Sequence, residues 1–170
     1  MPWAAEKGGP QYYDLKRHPE LLRQIEEAER YPELREFLTT VNSAANPVET
    51  AKCDAWATTE ISPEEEIFDA ACKFGSYVDV LFSDDSVRCS FEGHEQWVKR
   101  LIDLLKKAPE IAAAAELLIR RCYYHAADGT REGFYVTLYV FGYGDDEAQA
   151  RRQWGIGMKL VENAIRQMMS

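Results

Sequence analysis

From Phe134 to Tyr143 the chain alternates between two kinds of residue. Phe134, Val136, Leu138 and Val140 form one row, and Tyr135, Thr137, Tyr139, Phe141 and Tyr143 form the other. Successive side chains of a strand point to opposite faces, so this stretch calls for a sheet with two unlike surfaces. One surface is apolar enough to carry helices. The other is built of rings and hydroxyls. Lys52–Ile61 repeats the pattern, with Cys53, Ala55, Ala57, Thr59 and Ile61 alternating with Lys52, Asp54, Trp56, Thr58 and Glu60. If the cysteine and alanines face the helices, then Asp54, Trp56, Thr58 and Glu60 point the other way.

The remaining elements follow from caps and periodicity. Pro2, Gly8, Gly9 and Pro10 give an irregular start, after which Pro19 opens a helix that Tyr31-Pro32 breaks. A second helix from Pro32 to Val41 places Leu34, Phe37, Leu38 and Val41 on one face, and 42–50 reads as a connector. Ser62-Pro63-Glu64-Glu65 has the form of a capping box opening a helix, with Ile67, Phe68, Ala71 and Phe74 as its apolar side and Gly75 as its end. Tyr77–Phe82 and Val87–Phe91 are expected to form a hairpin, with Arg88 joining Tyr77, Asp79 and Leu81 on its polar side. A helix over 94–107 follows, then a second hairpin of 117–126 and 133–143 turning at Asp128-Gly129. Asp145 is expected to cap a final helix with an inner stripe of Ala150, Trp154, Gly157, Val161, Ala164 and Met168.

In order, these elements give an α+β domain over 51–170, a ferredoxin-like sandwich (βαββαβ) with an extra C-terminal strand and long helix. Residues 1–50 form an irregular and helical preface docked on it. A duplicated β-β-α arrangement is the main rival, though no internal repeat favours it.

Composition restricts function. A length of 170 residues with 46% hydrophobic content suits one folded domain. No apolar run approaches the ~20 residues of a membrane span, and 1–7 lack the basic start and apolar run of a signal peptide. The formal charge of −9, with no basic block, argues against nucleic acid and anionic membranes as partners. Cys53, Cys72, Cys89 and Cys122 have no CxxC spacing, so neither a metal site nor a redox dithiol is expected. Reduced thiols place the chain in the cytoplasm.

Catalytic signals are few. Cys122 and His125 differ by three positions and so point to opposite faces of a strand, and His94 carries no motif. Gly142-Tyr143-Gly144 precedes a helix, but Asp145-Asp146-Glu147 puts negative charge where a phosphate would sit. No P-loop, G-x-S-x-G or H-E-x-x-H occurs. No catalytic residue, cofactor or metal is expected. The ring-rich sheet face is the informative feature, because tyrosine, tryptophan and arginine anchor interfaces. The candidate binding residues are Trp56, Tyr77, Asp79, Arg88, Tyr135 and Tyr139. The expected function is non-enzymatic binding of a protein partner, basic in keeping with the acidic chain, as an immunity or inhibitor protein would do. The alternatives are a small-ligand domain with a pocket behind the sheet and a small enzyme.

Overall fold

The computed structural model describes residues 12–169, so the irregular start expected at Pro2–Pro10 lies outside the described residues. A 3₁₀ turn at Pro19–Gln24 leads into α1 (Glu26–Arg30) and α2 (Pro32–Val41), each proline sitting at the first position of its element. All four residues expected on the inner face of α2 are buried: Leu34, Phe37, Leu38 and Val41. Strand β1 (Val48–Thr58) follows, then a 3₁₀ turn at Pro63–Phe68, β2 (Cys72–Phe82) and α3 (Asp85–Arg88). Helix α4 (Phe91–Leu105), β3 (Ala113–Ala126), β4 (Gly129–Gly144) and α5 (Glu147–Met169) complete the chain.

The fold is α+β, with one four-stranded sheet in the order β1-β2-β4-β3. Every neighbouring pair is antiparallel. From Val48 onward the strands and α-helices therefore run β-β-α-α-β-β-α. The ferredoxin-like order, with its extra strand, is not what the chain adopts. The difference traces to two segments. Ser62 does open a turn, its backbone N–H donating to Glu65 Oε2 at 2.8 Å. That turn ends at Asp69, whose left-handed φ of 47° redirects the chain into β2. Phe74 and Gly75 belong to the strand and not to a helix.

The expected hairpin of 77–82 with 87–91 is also absent. Asp84 Oδ1 accepts from the Ser86 and Val87 amides at 2.8 and 3.2 Å, turning the chain into α3. Ser90 Oγ accepts from the Gly93 amide at 3.1 Å and caps α4. Arg88 is consequently on a short helix and not on a strand. His94, in the first turn of α4, is enclosed by Phe82 and Phe134, and its Nδ1–H donates to the Ser90 carbonyl at 2.7 Å. Burial lowers its pKa, and its position is that of a core residue.

Strand β1 begins at Val48, inside the expected connector. A bulge between Thr50 and Cys53 shifts the alternation, so Val48 and Thr50 share the helix-side row with Cys53 and Ala55. The second hairpin forms but is longer than expected and turns at Ala127-Asp128, not Asp128-Gly129, with Ala126 opposite Gly129 and φ of 129° at that glycine. The cap of α5 is Asp146, not Asp145: Asp146 Oδ1 accepts from the Gln149 amide at 2.7 Å, while Gln149 Oε1 accepts from the Asp145 amide at 2.8 Å.

The core lies between the sheet and α2, α4 and α5. Helix α5 approaches β4 very closely at Gly142, where an added Cβ would overlap the Trp154 amide nitrogen and the Ala150 carbonyl oxygen. Trp154 is fully buried, and its indole N–H donates to Ser76 Oγ at 2.8 Å. Between α2 and α5, buried Glu162 accepts from Thr40 at 2.8 Å and Arg166 at 2.6 Å and pairs with Lys159 at 3.0 Å. These partners satisfy a carboxylate that would be costly to bury alone.

The close approach at Gly142 gives a direct expectation. Overpacking of about 1–3 kcal/mol at a backbone that cannot yield lowers the melting temperature of Gly142→Ala by about 2–12 °C in a chain of this size. Gly155→Ala, on α5 and facing the flexible Glu33 side chain, leaves it unchanged or raises it. Calorimetry of both variants checks this, and equal effects would contradict the packing described.

Candidate functional site

The sheet face turned away from α4 and α5 carries the residues singled out by alternation. Register fixes their arrangement. Asp54 lies opposite Tyr77, Tyr77 opposite Tyr139, and Tyr139 opposite Glu116, in one row across the sheet. The next row holds Trp56, Gly75, Phe141 and Ala114. Four rings thus form a closed circuit: Trp56–Tyr77 at 6.4 Å between centroids, Tyr77–Tyr139 at 6.0 Å, Tyr139–Phe141 at 5.8 Å and Phe141–Trp56 at 6.4 Å. Gly75 lies beneath two of them, since an added Cβ would meet Phe141 at 2.9 Å and Trp56 at 3.1 Å. All four rings are half-buried, each packing edge or face against its neighbours while keeping a surface toward solvent.

Charged groups frame the rings. The Lys73 ammonium lies 5.0 Å from the Phe141 centroid and pairs with Glu65 at 2.9 Å. Burial alone would raise the Glu65 carboxyl, but hydrogen bonds from Tyr143 (2.6 Å), Lys73 and the Ser62 amide hold it down at about 2. Tyr143 shifts upward, through burial and then its bond to Glu65. On the other side of the rings, Asp79 is buried and accepts from the Thr137 hydroxyl at 2.7 Å. The Arg120 Nε donates to Thr137 Oγ1 at 3.0 Å, and its terminal nitrogen reaches the Tyr139 hydroxyl at 3.5 Å. Burial raises the Asp79 pKa despite that hydrogen bond and the nearby Lys52 and Arg120 charges. Tyr77 is raised by burial and then by Asp79 and Asp54. Asp54 is exposed; among the described residues its carboxylate makes no ion pair and accepts from the Ala55 amide at 2.7 Å.

Of the six candidates, Trp56, Tyr77 and Tyr139 share the ring circuit, and Asp79 lies one row away. Tyr135 stands further along, packed with Leu81, Tyr124, Cys122 and Ala51 in a separate small cluster. Arg88 reaches the far end of this same face from α3. It pairs with Glu49 at 2.9 Å, lies 5.3 Å from the Tyr124 centroid and donates to the Phe82 carbonyl. Its role there is to hold α3 on the sheet, apart from the rings. Phe141, Asp54 and Arg120 belong to the site but were not among the candidates, although alternation already placed the first two on this face. Gly75 escaped because its segment reads as the end of a helix.

Helices α4 and α5 pack on the opposite face, through contacts such as Trp97 with Phe82 and Trp154 with Ser76. Behind the sheet, an apolar groove of about 500 Å³ runs between the end of α4, Gly157–Val161 of α5 and Ala113–Ala115 of β3, with Ile67 and Phe68 at its mouth. Cys53, Cys72 and Cys122 are half-buried and Cys89 is exposed, all four with free thiols. Burial pushes the Cys53 thiol up to about 12, with Glu27, Asp54 and Asp79 adding to the shift. Among the described residues no group of three His, Cys, Asp or Glu is placed to hold a metal ion, and no helix is long and apolar enough to cross a membrane. Compared with known proteins, the chain matches no family model, no curated protein and no solved structure.

The shifted carboxyl of Asp79 sets a pH dependence. A folded pKa above the unfolded value of about 3.9 means stability is full below that value and declines as pH rises through the folded pKa. Asp79→Asn keeps the acceptor for Thr137 and cannot ionise. Its melting temperature relative to the parent protein is expected to rise between pH 3.5 and pH 7. Thermal scans at both pH values check this, and a relative melting temperature that falls over that interval would contradict it.

Proposed function

We propose that this chain is a non-enzymatic binding protein that grips a protein partner on its ring-bearing sheet face by taking a lysine or arginine side chain against the rings. The supporting observation is the circuit of Trp56, Tyr77, Tyr139 and Phe141, half-exposed beside the carboxylate of Asp54, which makes no ion pair among the described residues. A cation over an aromatic face gains about 0.5–2 kcal/mol, more as water is excluded. A carboxylate at the edge adds charge-assisted hydrogen bonds and orients the incoming group. The strands hold the rings rigidly, so little side-chain freedom is lost on binding. A net charge of −9 speeds the approach of a basic partner. An inhibitor or immunity protein acting in the cytoplasm on a basic target fits this chemistry.

The second reading is a small apolar ligand, and the groove of about 500 Å³ behind the sheet favours it. Its volume lies within the range of ligand pockets, about 300–1,000 Å³, but few polar groups converge on it to fix an orientation.

The two readings separate by mutation. Affinity capture followed by calorimetry on the purified partner is expected to find a basic protein. Trp56→Ala and Tyr139→Ala should weaken binding by about 1 kcal/mol or more while shifting the melting temperature by only a few degrees. Stability losses of about 3 kcal/mol or more, with affinity unchanged in the folded fraction, would show that the rings serve the core alone.

A further inference from the structure

The two edges of the sheet are treated differently. Strand β1 is bulged between Thr50 and Cys53, and Ile25, Glu26 and Glu27 line a crevice with Lys52 and Cys53 beside it. Bulges and covering segments are the usual protection of an edge against pairing with another chain. Strand β3 shows neither a bulge nor a further strand over it among the described residues. It pairs with β4 without a register shift from Ala113 to Ala126, contains no proline, and has no strand on its outer side among the described residues.

The outward groups of β3 can be assigned. The Tyr143 amide donates to the Ala112 carbonyl at 2.9 Å, in register with Ala113 opposite Gly142. Antiparallel pairs alternate between bonded and non-bonded residues, so Glu116, Leu118 and Arg120 bond toward β4. Ala115, Leu117, Ile119 and Arg121 then present their N–H and C=O groups outward. Any antiparallel partner must set outward residues opposite outward residues, which limits the registers.

We infer that β3 pairs edge to edge with β3 of a second copy, antiparallel about a two-fold axis through Leu118, joining the two sheets into one. This register alone among its neighbours is self-complementary. Leu117 stands opposite Ile119 on the helix side, and Leu118 meets its own copy. Glu116 stands opposite Arg120 on the ring-bearing face, twice, by symmetry. These are non-bonded positions, where side chains approach most closely. Glu116 makes no ion pair within its own chain among the described residues, and Arg120 uses only Nε and one terminal nitrogen on Thr137 and Tyr139. Centring the axis on Leu117 would put Glu116 opposite Leu118, and centring it on Ile119 would put it opposite Cys122. Both leave the charges unmatched.

Sedimentation equilibrium of the full chain between 1 and 200 µM tests this. The expected result is a dimer that Glu116→Arg weakens at least tenfold, because two like-charged pairs replace two ion pairs. The exchange Glu116→Arg with Arg120→Glu should restore it. Ala115→Pro removes an outward donor without touching the β4 ladder or the Leu117 and Ile119 packing, and should leave a monomer with its melting transition retained. Leu118→Cys should give a disulfide between the two copies of residue 118, identified by peptide mass spectrometry under mild oxidation. A monomer at 200 µM would overturn the inference. So would a dimer indifferent to both Glu116→Arg and Ala115→Pro, or one whose cross-link at 118 goes only to native cysteines. Glu116→Arg, Ala115→Pro and Leu118→Cys leave Trp56, Tyr77, Tyr139 and Phe141 in place, and only Arg120→Glu also removes the donor to Thr137 and Tyr139, so partner binding is tested separately through Trp56→Ala.

Discussion

Helix α5 rests on β4 backbone against backbone, because Gly142 leaves no side chain between that strand and the turn carrying Ala150 and Trp154. With the helix this close, the Trp154 indole lies between Phe74 and Tyr31 and its N–H reaches Ser76 on the neighbouring strand. One residue thus ties the C-terminal helix to β2 and to the segment preceding α2. Burying so large a ring contributes several kcal/mol only if its N–H is satisfied, and Ser76 supplies the acceptor. The remaining helices follow: α2 packs along α5 through Leu34, Phe37 and Leu38, with the Glu162 network between them, and α4 fills the space over β3 and β4.

Gathering α2, α4 and α5 on one side concentrates the apolar material there and leaves the other face to be stabilised laterally. Its rings pack against one another, Lys73 and Arg120 lie along them, and Phe68 stacks on Tyr143 with centroids 4.0 Å apart. The result is a surface whose rings are held by one another and by the strands beneath them. The buried, raised carboxyl of Asp79 is a cost of this arrangement, held by the Thr137 hydroxyl, which in turn accepts from the arginine that reaches Tyr139. A face used only as a lid for the core would gain more from an apolar residue at that position.

How much of this was legible in the sequence depended on the range of the determining interaction. The two rows of β4 were read correctly because alternation over a long strand assigns each residue a face regardless of what pairs with it. The inner faces of α2, α4 and α5 were legible for the same reason at helical spacing. Topology turned on a single ambiguous segment. Phe68, Ala71 and Phe74 fit a helix at spacings of three, yet Phe74 also begins the period-two row of Ser76, Val78, Val80 and Phe82. The second pattern won, since it pairs β2 with both β1 and β4. With a strand there, and the short α3 aside, the chain runs β-β-α twice. The paired aspartates at 84–85 read as a hairpin turn because a cap and a turn use the same residues. Strand order and the bulge after Thr50 depend on distant pairing and leave no local trace. Arg88 illustrates the consequence: placed on the wrong element, it still reaches the expected face by way of Glu49 and Tyr124.

The central claim is that, among the described residues, the ring circuit of Trp56, Tyr77, Tyr139 and Phe141 keeps a surface toward solvent while the helix-side core is closed. Hydroxyl-radical footprinting of the full chain, with oxidation rates resolved by residue, measures this directly. Trp56 and Phe141 are expected to oxidise many times faster than Trp154 and Phe74, which have 0% and 1% of their surface exposed. Equal protection of all four rings would mean that the face is covered, and the account of it as a preformed binding surface would fail.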